Sequence, residues 1–90
     1  MQKSISAKPY KTLIAWLVEQ RQSQGITMPD LAGRLGLASH SYISKIESFE
    51  RKIDIYEYML ICEALNVDGA EGYSEMLKAQ STMPKKSSRE

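Results

Sequence analysis

A chain of 90 residues has the size of one domain, and a composition 42% hydrophobic and 26% charged fits a folded globule, excluding a disordered chain or a two-domain enzyme. No apolar run approaches the roughly 20 residues that span a bilayer and no signal-peptide core is present, so the expected location is cytoplasmic. One cysteine (Cys62) and one histidine (His40) exclude an internal disulfide and a zinc cluster, and no cofactor is expected. The net charge of +1 conceals an uneven distribution. Residues 1–52 carry eight Lys/Arg against four Asp/Glu, residues 53–79 one against six, and residues 80–90 three against one, as in a protein whose first part meets a polyanion.

Residues 1–8 are polar and are expected to form a flexible arm carrying Lys3 and Lys8. Pro9 can open a helix, since its missing N–H would be unpaired in the first turn anyway. Tyr10, Leu13, Ile14, Leu17 and Val18 follow at helical spacing until Gly25, which predicts a helix over 9–24 with Trp16 as a flank of the core. Thr27 and Asp30 make a capping-box-like pair, and Leu31, Ala32 and Leu35 give a short apolar face, predicting a second helix over 28–35 that stops at Gly36. A third helix over 40–48 turns Ile43 and Ile46 inward, with Tyr42 half-buried beside them.

The segment 49–53 reads as a loop with a polar face. Asp54 is a suitable N-cap for a fourth helix over 54–65, in which Ile55, Tyr58, Met59, Cys62 and Leu65 keep the 3.6 period. Cys62 is read as a core residue. A fifth helix over 70–79 sets Tyr73, Met76 and Leu77 on one side, and residues 80–90 are expected to be a disordered tail. The fourth helix is apolar nearly all round, more than a small monomer buries on one side. Tyr58, Ile61, Tyr73 and Met76 are therefore expected at a homodimer interface.

Helices two and three, joined by a tight turn, are the elements of a helix-turn-helix. The chain contains Ile26-Thr27-Met28-Pro29-Asp30-Leu31-Ala32, then Gly36-Leu37, Ser41-Tyr42-Ile43-Ser44-Lys45-Ile46-Glu47, Arg51-Lys52-Ile53-Asp54 and Ile61-Cys62-Glu63-Ala64-Leu65-Asn66-Val67. With these pieces in this order, residues 10–68 resemble the phage repressor/Cro-like (xenobiotic-response-element, XRE) helix-turn-helix family. The resemblance implies an all-α fold, a compact five-helix bundle of the lambda-repressor-like DNA-binding type, and double-stranded DNA as partner.

It also implies roles for particular residues. The third helix would enter the major groove with His40, Ser41 and Lys45 contacting bases, while Thr27, Ser44, Arg51 and Lys52 would contact phosphates. The free N–H groups opening the second helix would assist Thr27. Arg21 and Glu47 would form a structural ion pair locking the third helix to the first. Four features depart from the family pattern: Met28 stands where Gln is common, Phe49 where Gly is frequent and Ile53 where Pro is frequent, and the stretch 36–44 is one residue longer than usual.

The function expected is a sequence-specific DNA-binding transcriptional regulator, a repressor acting as a homodimer on a pseudo-palindromic operator. The alternatives on the same fold are a protein-interaction module, such as an antitoxin-like adaptor with a protein partner, and a controller-type activator. An enzyme is not expected, because no nucleophile, base and orienting group occur together and no Gly-rich phosphate loop is present.

Overall fold

A computed structural model describes residues 6–81 of the chain as five helices: α1 (Lys8–Ser23), α2 (Met28–Arg34), α3 (Ser41–Glu47), α4 (Ile55–Leu65) and α5 (Gly69–Ser81). Most helix ends fall within one residue of those the sequence suggests, and two shifts change the reading of the termini. Lys8 belongs to α1 instead of to an arm, with Pro9 in the first turn. The helix α5 continues through Gln80 to Ser81, because Ala79 still packs into the interior and the Ser81 hydroxyl donates to the Lys78 carbonyl. The rest of the expected arm and tail, residues 1–5 with Lys3 and residues 82–90, lies outside the described residues.

The core forms where the apolar stripes meet. Ile14 of α1 and Leu65 of α4 are its most deeply buried side chains. Around them lie Leu13 and Leu17 of α1, Leu31 and Ala32 of α2, Ile43 and Ile46 of α3, and Ile61 and Cys62 of α4. Burial pushes the Cys62 thiol above its ordinary range, so this cysteine is an apolar filler and not a reactive thiolate.

Capping explains why such short helices start and stop where they do. Thr27 accepts from the Asp30 N–H while the Asp30 carboxylate accepts from the Thr27 N–H, and Asp54 and Glu57 repeat this reciprocal box at the start of α4. The C-termini of α1 to α4 share one closure, in which a residue with positive φ lets the chain turn back onto the helix's last carbonyls. Gly25 and Gly36 serve α1 and α2, Phe49 (φ 65°) serves α3 and Asn66 (φ 57°) serves α4. The next N–H then reaches five residues back: Ile26 to Arg21, Leu37 to Ala32, Glu50 to Lys45 and Val67 to Cys62. The last carbonyls of α4 receive two further donors, Arg34 to Ala64 and Gln24 to Leu65, each at 2.8 Å.

The 49–53 segment is less polar in its packing than its charges suggest. Phe49 is half-buried against the core with the Lys11 ammonium 5.5 Å from its ring centre, and Ile53 is buried. The Ile53 N–H donates to the Tyr10 hydroxyl at 3.2 Å. A proline at position 53 has no N–H for that bond, which accounts for the departure from the family pattern there.

The most extensive helix pairing is between α1 and α5. Gly72 makes it possible: a Cβ there would lie 2.7 and 2.8 Å from the Trp16 ring and closer still to the Tyr58 hydroxyl. Trp16 is thus buried beneath α5. The Tyr58 hydroxyl donates to the Gly69 carbonyl at 2.6 Å, and burial raises its pKa well above the ordinary phenol range. Glycine 33, inside α2, has open space where its Cβ would be. Gly72→Ala should therefore lower stability by about 1–3 kcal/mol through overpacking, whereas Gly33→Ala should raise it by about 0.5–1 kcal/mol through helix propensity alone. Thermal unfolding of the two variants measures this; equal shifts of the same sign would show that α5 does not approach α1 this closely.

Candidate nucleic-acid interface

The geometry of this region starts from a buried arginine. Arg21, in the last turn of α1, is only 7% exposed. Its Nε donates to Glu47 Oε2 at 2.7 Å, its Nη2 to Glu47 Oε1 at 2.9 Å, and its Nη1 to the Ile26 carbonyl at 2.8 Å. A planar fork matched to a carboxylate thus ties together the end of α1, the lead-in to α2 and the last residue of α3. Among the described residues no buried side-chain nitrogen or oxygen lacks a hydrogen bond, so the pair is fully compensated.

With Ile43 and Ile46 turned into the core, α3 presents Ser41 and Lys45, one turn apart, to solvent, and Ser44 half-buried beside them. His40 is the N-cap residue and is exposed, but its side chain makes no capping bond. That part falls to Ser39, whose hydroxyl accepts from the Ser41 N–H at 3.3 Å and lies 3.1 Å from the Ser41 hydroxyl. Lys45 is the cation of this exposed face of α3.

The expected phosphate contacts are more engaged within the chain than their sequence suggests. At the start of α2, the capping box occupies the Thr27 and Asp30 N–H groups, Pro29 has none, and the Leu31 N–H donates to Thr27. The picture of several free N–H groups awaiting an anion is thereby corrected: Met28 is the residue of that turn whose N–H remains for an outside acceptor, and Asp30 adds a negative charge beside it. Backbone and side-chain bonds from Thr27 hold the Asp30 carboxyl below its usual pKa, so the charge persists. Met28 itself is half-buried against the core, where a thioether suits better than the amide of Gln.

Arg51 is held on two sides. Its Nη2 donates to Glu57 Oε2 at 2.6 Å, and its guanidinium lies 4.9 Å from the centre of the Tyr42 ring. Lys52 is exposed next to it. Sequence reasoning did not identify Glu57. The signal for Glu57 was the Asp54-x-x-Glu57 spacing, a capping box that puts a fixed carboxylate at the foot of α4.

The dimer surface expected from the sequence needs correcting. Tyr58 and Ile61 are buried in the chain's own core, because α5 and the α1 side of the bundle cover that face of α4. Met76 is half-buried, and Tyr73 is exposed. The large apolar side chains that α4 and α5 leave exposed are instead Ile55 (81% exposed), Tyr56 (62%), Met59, Tyr73 and Leu77, among the described residues.

Two seven-residue helices, the second pinned by a buried ion pair and showing its polar face to solvent, define a helix-turn-helix. A family model described as Helix-turn-helix matches residues 17–71. A solved XRE-family like protein from Pseudomonas syringae pv. tomato str. DC3000 is similar to this chain with a TM-score of 0.67 and 36% identity, over 84% of this chain and 88% of that one. No curated protein matches the sequence. The chain belongs to the XRE family of helix-turn-helix proteins, a family of DNA-binding regulators. Among the described residues no helix is long and apolar enough to cross a membrane.

The ion pair generates a stability prediction. Glu47→Ala leaves the Arg21 charge buried and uncompensated and should cost about 3–5 kcal/mol, whereas the double variant Arg21→Met/Glu47→Leu should recover most of that loss. Urea unfolding checks both. A double variant no more stable than Glu47→Ala would mean that the Ile26 carbonyl, not the ion pair, is what Arg21 chiefly serves.

Proposed function

We propose that the protein is a sequence-specific transcriptional repressor that binds a pseudo-palindromic operator as a homodimer, in the cytoplasm and without catalysing a reaction. The observation that carries this reading is the pinning of α3 by Arg21 and Glu47, which fixes an exposed row of His40, Ser41 and Lys45 on a rigid support. In this reading α3, about 10 Å long, enters the major groove and reads a few base pairs per half-site. Lys45 donates to guanine O6 and N7, and Ser41 and His40 supply shorter-range hydrogen bonds. Thr27, Ser44, Arg51 and Lys52 set the register on the phosphates. Repression follows from occupancy alone, since a bound dimer occludes polymerase.

The dimer is proposed to pair through Ile55, Tyr56, Met59, Tyr73 and Leu77, an apolar set on the acidic half of the chain that is well suited to a partner other than DNA. In this reading the two copies of α3 enter successive major grooves about 34 Å apart, one turn of B-DNA. The same exposed apolar set supports a second reading, in which this face binds a different protein and the chain acts as an antitoxin-like adaptor or a controller-type activator.

Selection of duplexes from a random pool tests the regulator reading. An enriched, inverted-repeat sequence is expected, with affinity falling steeply as salt rises. Lys45→Ala should relax preference at one position by about 1–3 kcal/mol, while Lys52→Ala should weaken all sequences alike. A pool that shows no enrichment over the Lys45→Ala protein sinks the reading. For assembly, sedimentation at micromolar concentration should show a dimer that Ile55→Lys or Tyr56→Glu converts to a folded monomer. Ile61→Lys, a core change, should unfold the chain instead. A wild-type monomer that nonetheless binds an inverted repeat tightly would remove the dimer from this account.

A further inference from the structure

The Glu57 carboxylate does two things at once. Its Oε1 accepts from the Asp54 N–H at 2.9 Å as half of the capping box of α4, and its Oε2 accepts from Arg51 Nη2 at 2.6 Å. The box alone does not require a charge, since Gln serves there as well as Glu. The second oxygen is therefore spent on Arg51. The Asp54 N–H bond, foremost among several contacts, holds the Glu57 pKa below the usual range.

Arg51 is bound to α3 as firmly as to α4. Its backbone N–H donates to the Lys45 carbonyl at 3.2 Å, within the closure that ends α3, and its guanidinium lies over the ring of Tyr42 from the first turn of α3. One guanidinium N–H, one face of the guanidinium plane and the main chain of this arginine are thus fixed relative to the face carrying Ser41 and Lys45. Of five N–H donors, Glu57 Oε2 takes one by this bond. The side chain still has 45% of its surface open.

We propose that Glu57 is a positioning residue for DNA: it holds the Arg51 guanidinium against Tyr42 so that the remaining donors meet a backbone phosphate beside the groove occupied by α3. This rests on the DNA-binding reading above. The physical gain is preorganisation. An unrestrained arginine loses its rotamer freedom on binding, worth roughly a two- to tenfold change in affinity per side chain, and a held one has lost it already. Against this stands the repulsion between the carboxylate and the phosphate. It is weakened because Glu57 already accepts from Arg51 and from the Asp54 N–H, and lies at the positive end of α4.

The test uses the full chain, a duplex enriched from a random pool and a scrambled duplex, with affinity measured across a salt series and melting followed in parallel. Glu57→Gln keeps an acceptor for the capping box but loses the anchor for Arg51. Roughly two- to tenfold weaker binding to both duplexes is expected, with an unchanged salt slope because Arg51 remains a cation. In an Arg51→Ala background the same change should have no effect. Tyr42→Leu, which leaves the box whole, should weaken binding in the same Arg51-dependent way and provides the test if Glu57→Gln fails to fold. Tighter or unchanged binding by Glu57→Gln, or a loss that persists without Arg51, overturns the proposal, since the carboxylate would then be a brake on Arg51 or only a cap. Failure of the wild-type protein to enrich any duplex is seen before a variant is made, and it overturns the DNA-binding reading itself.

Discussion

The fork between Arg21 and Glu47 is the constraint on which the placement of the exposed α3 face depends. Bringing two opposite charges out of water costs several kcal/mol per ion, and the bidentate geometry with the Ile26 carbonyl as third acceptor is what offsets it. The net stabilisation from such a pair is small, but its directionality is not available from apolar packing. Ile43 and Ile46 would let α3 slide or roll against the core. A guanidinium plane that must meet both oxygens of Glu47 admits one position. The end of α1, the lead-in to α2 and the end of α3 are therefore registered by a single side chain.

The second half of the chain completes the core while leaving the face of α3 uncovered. Gly72 lets α5 lie closely on α1 over Trp16, and Tyr58 bridges to Gly69 at the start of α5. This packing consumes the Tyr58, Ile61, Cys62 and Leu65 face of α4, leaving Ile55, Tyr56 and Met59 outside. The acidic charge of this half accompanies that exposed apolar set, so under the proposed function polyanion affinity and protein affinity fall to different stretches of the sequence.

Much of this was legible in the sequence because it is local. The Thr27-x-x-Asp30 spacing, Pro9 and Pro29 in first turns, and the apolar spacing in helix 1 each correspond to a hydrogen bond or a buried face within one helix. What was illegible depends on contacts between segments distant along the chain. Periodicity could not decide which side of α4 faces inward, since both sides are apolar; only the approach of α5 settles that Tyr58 is core and Tyr56 is not. Arg51 reads as a loop cation, and its tie to Glu57 and Tyr42 arises only once α4 is set beside α3. The N-terminus of α2 reads as open in the sequence, although the reciprocal bonds of Thr27 and Asp30 use up two of its donors.

Phe49 at the end of α3 carries a further implication. A helix of seven residues has no stability of its own in water. The closure of α3 runs through a residue in the left-handed region that costs a non-glycine side chain about 1–2 kcal/mol, offset by packing against the core and by Lys11. What stabilises α3 is thus chiefly its packing against the core, its flanking residues and the ion pair to α1. If α3 reads DNA as proposed, heat cannot blunt recognition by fraying this helix while the bundle persists: loss of the exposed α3 face and loss of the domain are one cooperative event, and the thermal ceiling for recognition is set by the core.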